Sequence, residues 1–336
     1  MTTAVQERIE AAARRRFGES AEISDLERLT YGASAETWRF DLVDGAACLP
    51  MILRLPPPKT TVNADLAAIF SPGRDHEVAV LRAVYAAGLA VAKIHFELDA
   101  EDGLGEGFVM DRLAGLTDTT KVLKDPDYEA ARRRLAGQLG GFRAGLDSID
   151  TAALPTLRCQ DGPAMVADLK QVVDGFDIAH PGIELGFAWL MDHMPTVLAT
   201  PKLVHGDFRL ANFMADKDGL TGVIDWELAH VGNPAEDLAW VCLRSWRFSR
   251  PDLAVAGVAE RPALYDAYHA AGGRPISREE IHFWEVLGTI RWAVICLYQG
   301  AQFVRGVRPG LEFGAVGRRV SEPLYDLIRL IEDRED

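Results

Sequence analysis

The hydrophobic pattern of the chain changes period near residue 112, and that change restricts the fold more than any other feature. Before it, short β-rich or alternating runs at 26–30, 37–43 and 51–55 are separated by turn residues such as Tyr31-Gly32 and Asp44-Gly45. Pro56-Pro57-Pro58 stops the third run, because proline has no amide to donate to a ladder. Helical spacing follows over 75–87, with Val78, Leu81, Val84 and Tyr85 on one face and Gly88 as the stop. Two further strands are predicted at 92–98 and 107–111, and 113–120 reads as a connector. Beyond it, long helical periodicities run over 128–146, 164–176, 184–198, 234–244, 261–271, 278–299 and 322–333. One β-rich interval, 202–226, interrupts them and contains a hairpin pattern, 212–214 and 222–224, turned at Asp216-Lys217-Asp218-Gly219. The expected architecture is α+β and bilobal, with a small β-rich lobe over 1–111 and a large, mainly helical lobe over 112–336. The β interval belongs at their junction, and clefts between lobes are where ligand sites form.

Composition narrows the function. The 336 residues carry 36 Lys plus Arg against 50 Asp plus Glu, a net charge of −14. A nucleic-acid binder needs a basic stripe to replace phosphate counterions, and an anionic lipid surface would repel this charge; neither partner is expected. The four cysteines, Cys48, Cys159, Cys242 and Cys296, form no C-x-x-C pair and read as reduced thiols. The start, MTTAVQERIEAAARRRF, has Glu7 and Glu10 where a signal peptide needs an unbroken apolar run, and reads as an amphipathic helix. The most apolar segment, 292–303, is flanked by Arg291 and Arg305 and is too short to span a bilayer. A soluble, cytoplasmic protein is expected; nothing in the sequence indicates its oligomeric state.

The informative stretch is His205-Gly206-Asp207-Phe208-Arg209-Leu210-Ala211-Asn212, followed thirteen residues later by Asp225-Trp226-Glu227. Taken singly, these aspartates are ordinary turn residues. Together they supply what phosphoryl transfer to an alcohol needs. One carboxylate orients the hydroxyl and accepts its proton. A second, helped by an amide oxygen, holds Mg²⁺ against nucleotide phosphates.

HGDFRLANFM and IDWELAHVGNPAEDLAW resemble the signature of the aminoglycoside phosphotransferase and choline kinase family, which has a protein-kinase-like fold. The resemblance implies that Asp207 is the catalytic base, that Asn212 and Asp225 are magnesium ligands, and that His205 braces the loop. Arg209 stands where Ser/Thr protein kinases place a lysine near the transferred phosphate, with bidentate geometry that a lysine lacks. Asp237, within Asn233-Pro234-Ala235-Glu236-Asp237-Leu238, is expected to anchor the catalytic loop. Trp226 and Glu227 replace the aromatic and glycine of the protein-kinase D-F-G.

The small lobe departs from protein-kinase patterns. There is no G-x-G-x-x-G; the corresponding loop, 31–37, offers Gly32 and Ser34 to phosphates, though a plain β-turn has the same composition. The usual strand lysine is replaced by Arg54, with Glu77 on the following helix as its ion-pair partner. Phe108-Val109-Met110-Asp111-Arg112 looks like the connector between lobes, with Val109 and Met110 lining a nucleotide base.

These features imply a small-molecule kinase using Mg²⁺ and ATP, with GTP also admitted. Its partners are a nucleotide and a small-molecule hydroxyl acceptor, either an aminoglycoside-like compound or a hydroxylated metabolite. The loop and the D-W-E-L-A element most resemble phosphotransferases related to the kinase domain fused to acyl-CoA dehydrogenases, which adds a hydroxyacyl-CoA as acceptor. A non-catalytic nucleotide-binding protein is the competing class. Trp246, Trp284, Trp292, Tyr298 and Gln299 are candidate acceptor-pocket residues, without a motif. Arg305, Arg308, Arg318 and Arg319 read as a solvated basic face.

Overall fold

Alternation along the first strands produces a sheet with two differently covered faces. The computed structural model describes residues 2–29, 36–55, 74–154, 157–176, 180–195 and 200–332. Helix α1 (Thr2–Phe17) is followed by β1 (Glu22–Leu29), β2 (Glu36–Asp44) and β3 (Ala47–Leu55), then α2 (Arg74–Ala86), β4 (Ile94–Glu97) and β5 (Phe108–Asp111). The five strands form an antiparallel sheet in the order β1-β2-β3-β5-β4. Side chains alternate across a strand. Met51, Leu53, Leu55 and Val109 therefore share one face and bury against Ile9, Ala12 and Ala13 of α1. Phe108 and Met110 lie on the other, packed with Val78, Leu81 and Val84 of α2. Arg54 pairs in register with Phe108 and points to that same α2 side.

The second lobe is mainly helical. It comprises α3 (Thr119–Lys124), α4 (Glu129–Leu146), α5 (Gly162–Asp174), α6 (Pro181–Asp192), α7 (Ala235–Trp240), α8 (Arg261–Ala270), α9 (Arg278–Val304), α10 (Leu311–Gly317) and α11 (Ser321–Ile331). The apolar segment 292–303 is the second half of α9, whose buried positions include Ala293, Val294, Cys296 and Tyr298. Ser277 caps that helix by accepting from the Glu280 amide, and Glu279 and Glu280 in the first turn complement its dipole. Among the described residues no helix is long and apolar enough to cross a membrane.

Between α6 and α7 lies the β interval. Strands β6 (Lys202–Val204) and β9 (His230–Gly232) pair, and β7 (Phe213–Ala215) and β8 (Leu220–Val223) form the expected hairpin. Asp216 fixes its turn by accepting from the Asp218 and Gly219 amides at 2.8 and 3.0 Å. The interval is stitched to the small lobe: the Val223 amide donates to the Ala90 carbonyl at 2.9 Å. One apolar cluster runs from Val78 and Phe108 through Phe213 and Val223 to Leu287, so the lobes share a core.

The structure adjusts several expectations. The first strand begins at Glu22 rather than at 26, and β3 begins at Ala47 with Pro50 inside it. The helix expected over 234–244 ends at Trp240, and the one expected over 184–198 ends at Asp192. Helices α3 and α10, of 6 and 7 residues, were too short to register as a period. The Pro56–Pro58 stop and the loop bearing Gly32 and Ser34 lie outside the described residues.

Candidate active site

The loop between β6 and β7 is fixed from below by one buried carboxylate. Asp237, in the first turn of α7, accepts the backbone N–H of His205 on Oδ2 at 2.9 Å and that of Gly206 on Oδ1 at 3.0 Å. Burial lifts its carboxyl above the ordinary aspartate range, opposed by the positive Arg143, whose Nε lies 3.4 Å away. Both side chains are wholly buried, so the amides and Arg143 replace water as partners. Gly206 has φ +80°, and a Cβ there would meet the Leu228 carbonyl oxygen at 2.4 Å. Only glycine fits so close a backbone approach.

His205 ties this loop to the turn after β8. Its Nδ1 accepts from the Asp207 amide at 3.1 Å, which leaves the proton on Nε2, donated to the Ile224 carbonyl at 2.9 Å. Its ring lies 4.5 Å from the buried Trp226 ring, and the Trp226 indole N–H donates to the Val223 carbonyl at 3.1 Å. The Ile224 amide in turn donates to the Asn212 carbonyl at 2.9 Å.

The Asp207 carboxylate is crowded with donors. Arg209 Nε sits 2.9 Å from both oxygens, Asn212 Nδ2 donates to Oδ2 at 2.7 Å, and Trp240 Nε1 donates to Oδ1 at 2.9 Å. Burial would raise this carboxyl, but the charge of Arg209 and the hydrogen bonds from Arg209 and Asn212 outweigh it, and the group lies below its ordinary value. Asp207 is therefore held ionised, in the state that accepts a hydroxyl hydrogen bond. Asn212 Nδ2 also donates to the Asp207 carbonyl at 2.8 Å, so its amide is oriented with Oδ1 turned away from that carboxylate.

From the other lobe, Arg54 reaches into the same space. Its Nη1 is 3.1 Å from Glu77, and its Nη2 is 3.0 Å from Asp225 and 3.8 Å from Glu227. Burial alone would weaken its proton hold, but the three carboxylates raise it. Asp225 adopts a left-handed backbone, φ 66° and ψ 64°, uncommon for a residue with a Cβ and typical of constrained sites.

The structure thus brings together Asp207, Arg209, His205, Asn212, Asp225, Arg54 and Glu77. It separates Val109 from Met110: Val109 is fully buried toward α1, and only Met110 shares the face of Arg54. Arg209 contacts the Asp207 carboxylate itself, and its guanidinium carbon lies 4.9 Å from the Trp246 ring centre. Trp246 and Trp292 form one aromatic cluster with Trp240, whereas Trp284 packs on Phe283 and Tyr298 on Phe176. Sequence reasoning missed the Trp240 donor. It also missed a buried group behind it, in which Glu236 takes His230 Nε2 at 3.0 Å and Arg291 Nη1 at 2.9 Å. The only signal for either was their place in the NPAEDLAW run.

Magnesium suits the oxygen donors present. Asn212 Oδ1 and the Asp225 carboxylate are hard oxygen donors, the kind this ion takes. Two protein ligands plus phosphates are the usual complement for this ion.

The family model described as APH, phosphotransferase enzyme family, matches residues 25–279. The chain belongs to that family and is by class a phosphotransferase. A solved putative aminoglycoside phosphotransferase from Ralstonia eutropha is 21% identical, with a TM-score of 0.75 over 98% of this chain and 99% of that one. A GDP and kanamycin complex of another aminoglycoside phosphotransferase is 16% identical, with a TM-score of 0.61 over 97% and 98%. Among curated proteins, acyl-CoA dehydrogenase family member 11 of Mus musculus is 28% identical over 181 residues, 50% of this chain and 23% of that protein. Acyl-CoA dehydrogenase family member 10 of Mus musculus is 45% identical over 65 residues, 19% of this chain and 6% of its own. The chain spans less than a quarter of the length of these curated relatives.

Proposed function

We propose that the protein transfers the γ-phosphoryl group of a magnesium nucleoside triphosphate, ATP or GTP, to a hydroxyl of a small molecule. The observation that carries this is the ionised Asp207 carboxylate held beside Asn212, with Asp225 reached from the opposite lobe by Arg54. The acceptor oxygen forms the new O–P bond while the bond from γ-phosphorus to the β–γ bridging oxygen breaks. The nucleoside diphosphate leaves with that electron pair, and the hydroxyl proton passes to Asp207. Asn212 and Asp225 would hold Mg²⁺, which neutralises phosphate charge when bound. Arg54 binds phosphate from the small-lobe side. The two lobes divide at 111/112, and Met110 and the backbone around Val109 adjoin the base.

The acceptor class is a hydroxyacyl thioester. This second, finer reading is favoured by the relatives, whose matched segments lie in proteins named as acyl-CoA dehydrogenase family members. An aminoglycoside-like acceptor is the alternative within the same chemistry. The compartment is the cytosol, in keeping with four free cysteines.

The test is nucleoside diphosphate release from MgATP or MgGTP with 3-hydroxybutyryl-CoA, choline or kanamycin. One acceptor is expected to stimulate release, and Asp207→Ala to lower that rate by about 10²–10⁴-fold. Equal rates in the variant would remove Asp207 from the mechanism. A nucleotide-dependent thermal shift without stimulation by any hydroxyl compound would mark a binding protein instead.

A further inference from the structure

A carboxylate offers about four lone-pair sites, and those of Asp207 are all engaged. Oδ1 takes Arg209 and Trp240, and Oδ2 takes Arg209 and Asn212, at 2.7 to 2.9 Å. An acceptor hydroxyl must displace one of these donors. The candidates differ in their freedom to move. Asn212 is 5% exposed and doubly bonded to Asp207, and Trp240 is 2% exposed. Arg209 keeps 26% of its side chain exposed and spreads one N–H over both oxygens. The displaceable donor is Arg209.

Trp240 is fixed from behind. The Arg291 guanidinium carbon stands 4.8 Å from its ring centre, and Arg291 is itself held by Glu236, which also takes His230. Trp246 also lies 5.4 Å from it, ring centre to ring centre. A buried ring held by these neighbours presents its N–H in one direction, toward Oδ1. With Oδ1 held by the indole and Oδ2 by Asn212, departure of Arg209 leaves a carboxylate of set orientation with lone pairs open on one side only.

We propose that Trp240 is a positioning residue of the transfer: its indole N–H sets the rotation of the Asp207 carboxylate, so that the lone pairs vacated by Arg209 face the incoming hydroxyl. The inference rests on the phosphoryl-transfer reading above and adds to it a residue that acts through the base. Being 2% exposed and bonded to Asp207, it acts through that carboxylate, so its loss lowers kcat and leaves the KM for MgATP unchanged.

The experiment replaces Trp240 with 3-(3-benzothienyl)alanine, which keeps the bicyclic shape and the stacking but has sulfur in place of N–H. Turnover of MgATP with 3-hydroxybutyryl-CoA should fall about 10- to 100-fold in kcat, the range for one hydrogen bond to a charged group. The KM for MgATP should stay within about twofold, and 5-fluorotryptophan, which retains the N–H, should restore kcat. Unchanged kcat with the sulfur analogue overturns the proposal, as does an equal loss with 5-fluorotryptophan, which would show packing alone. A second readout needs no turnover: the Trp240 indole ¹H–¹⁵N resonance should move in Asp207→Asn, and a resonance that stays in place overturns the proposal. If the wild-type protein phosphorylates no acceptor, the functional reading fails while this resonance still decides the contact.

Discussion

The two sides of the site are built from opposite kinds of interaction. On the large-lobe side, the catalytic loop is held by short bonds into buried groups: amides into Asp237, the His205 ring between two backbones, and an indole into Asp207. On the small-lobe side, Arg54 bridges Glu77, Asp225 and Glu227 by charge across the lobe junction. The first arrangement specifies geometry, because an amide or indole donor has one useful direction. The second specifies charge balance, because a guanidinium can serve carboxylates or phosphates in turn. The difference teaches that the Asp207 loop is set by directional bonds, whereas Arg54 is held chiefly by charge and, on the proposed function, could turn from carboxylates to phosphates.

That contrast can be broken by substitution. The largest effect is expected for Asp237→Asn, which removes the charge facing buried Arg143 and puts an amide N–H group beside the loop donors. Breaking a buried pair from one side costs about 3 kcal/mol or more, read from the midpoint of urea unfolding. A cost below that of an exposed pair would mean the loop is not anchored there. Next comes Arg54→Lys, which keeps the charge but cannot reach both sides at once. MgATP affinity by calorimetric titration is expected to drop about tenfold, equivalent to about 1.4 kcal/mol, with little change in the urea midpoint. If stability falls as far as in Asp237→Asn, the small-lobe grip is structural and the distinction fails.

The smallest effect concerns His230. Burial would lower its proton affinity, but Glu236, by charge and hydrogen bond, raises it above the ordinary 6.5. Its contribution to stability is therefore fully present below that ordinary value and is lost as pH rises through the raised one. Glu236 is shifted the other way: burial would raise it, but His230 and Arg291 hold it below 4.5, so its share is lost as pH falls through that lowered value. Thermal unfolding of the wild type should show the alkaline decline, and His230→Gln should flatten it. An unchanged profile in the variant would assign the decline to another group.

Much of this was legible in the chain. The period change foretold a β-rich lobe followed by a helical one, and H-x-D-x-x-x-x-N with the later Asp225 pointed to the loop and the turn that the fold brings together. Arg54 and Glu77 could be paired in advance, since a strand cation and a following helix acid meet wherever the helix packs on the strand. Trp240 could not be assigned, because its contact with Asp207 depends on how α7 sits against the loop. Arg291 and Arg143, 55 residues from Glu236 and 94 from Asp237, are ordinary helix residues until tertiary packing buries them. Arg209 was legible as a cation close to Asp207, but its bond to that carboxylate was not, because it depends on the packing that sets the Trp246 ring against the guanidinium.

One consequence follows from His205. Because a single imidazole clasps both the Asp207 amide and the Ile224 carbonyl, the Asp207 loop and the Asp225 turn are tied through one ring. A shift of β3 against them would change the Arg54 contact with Asp225 while the spacing between loop and turn stays set by that ring.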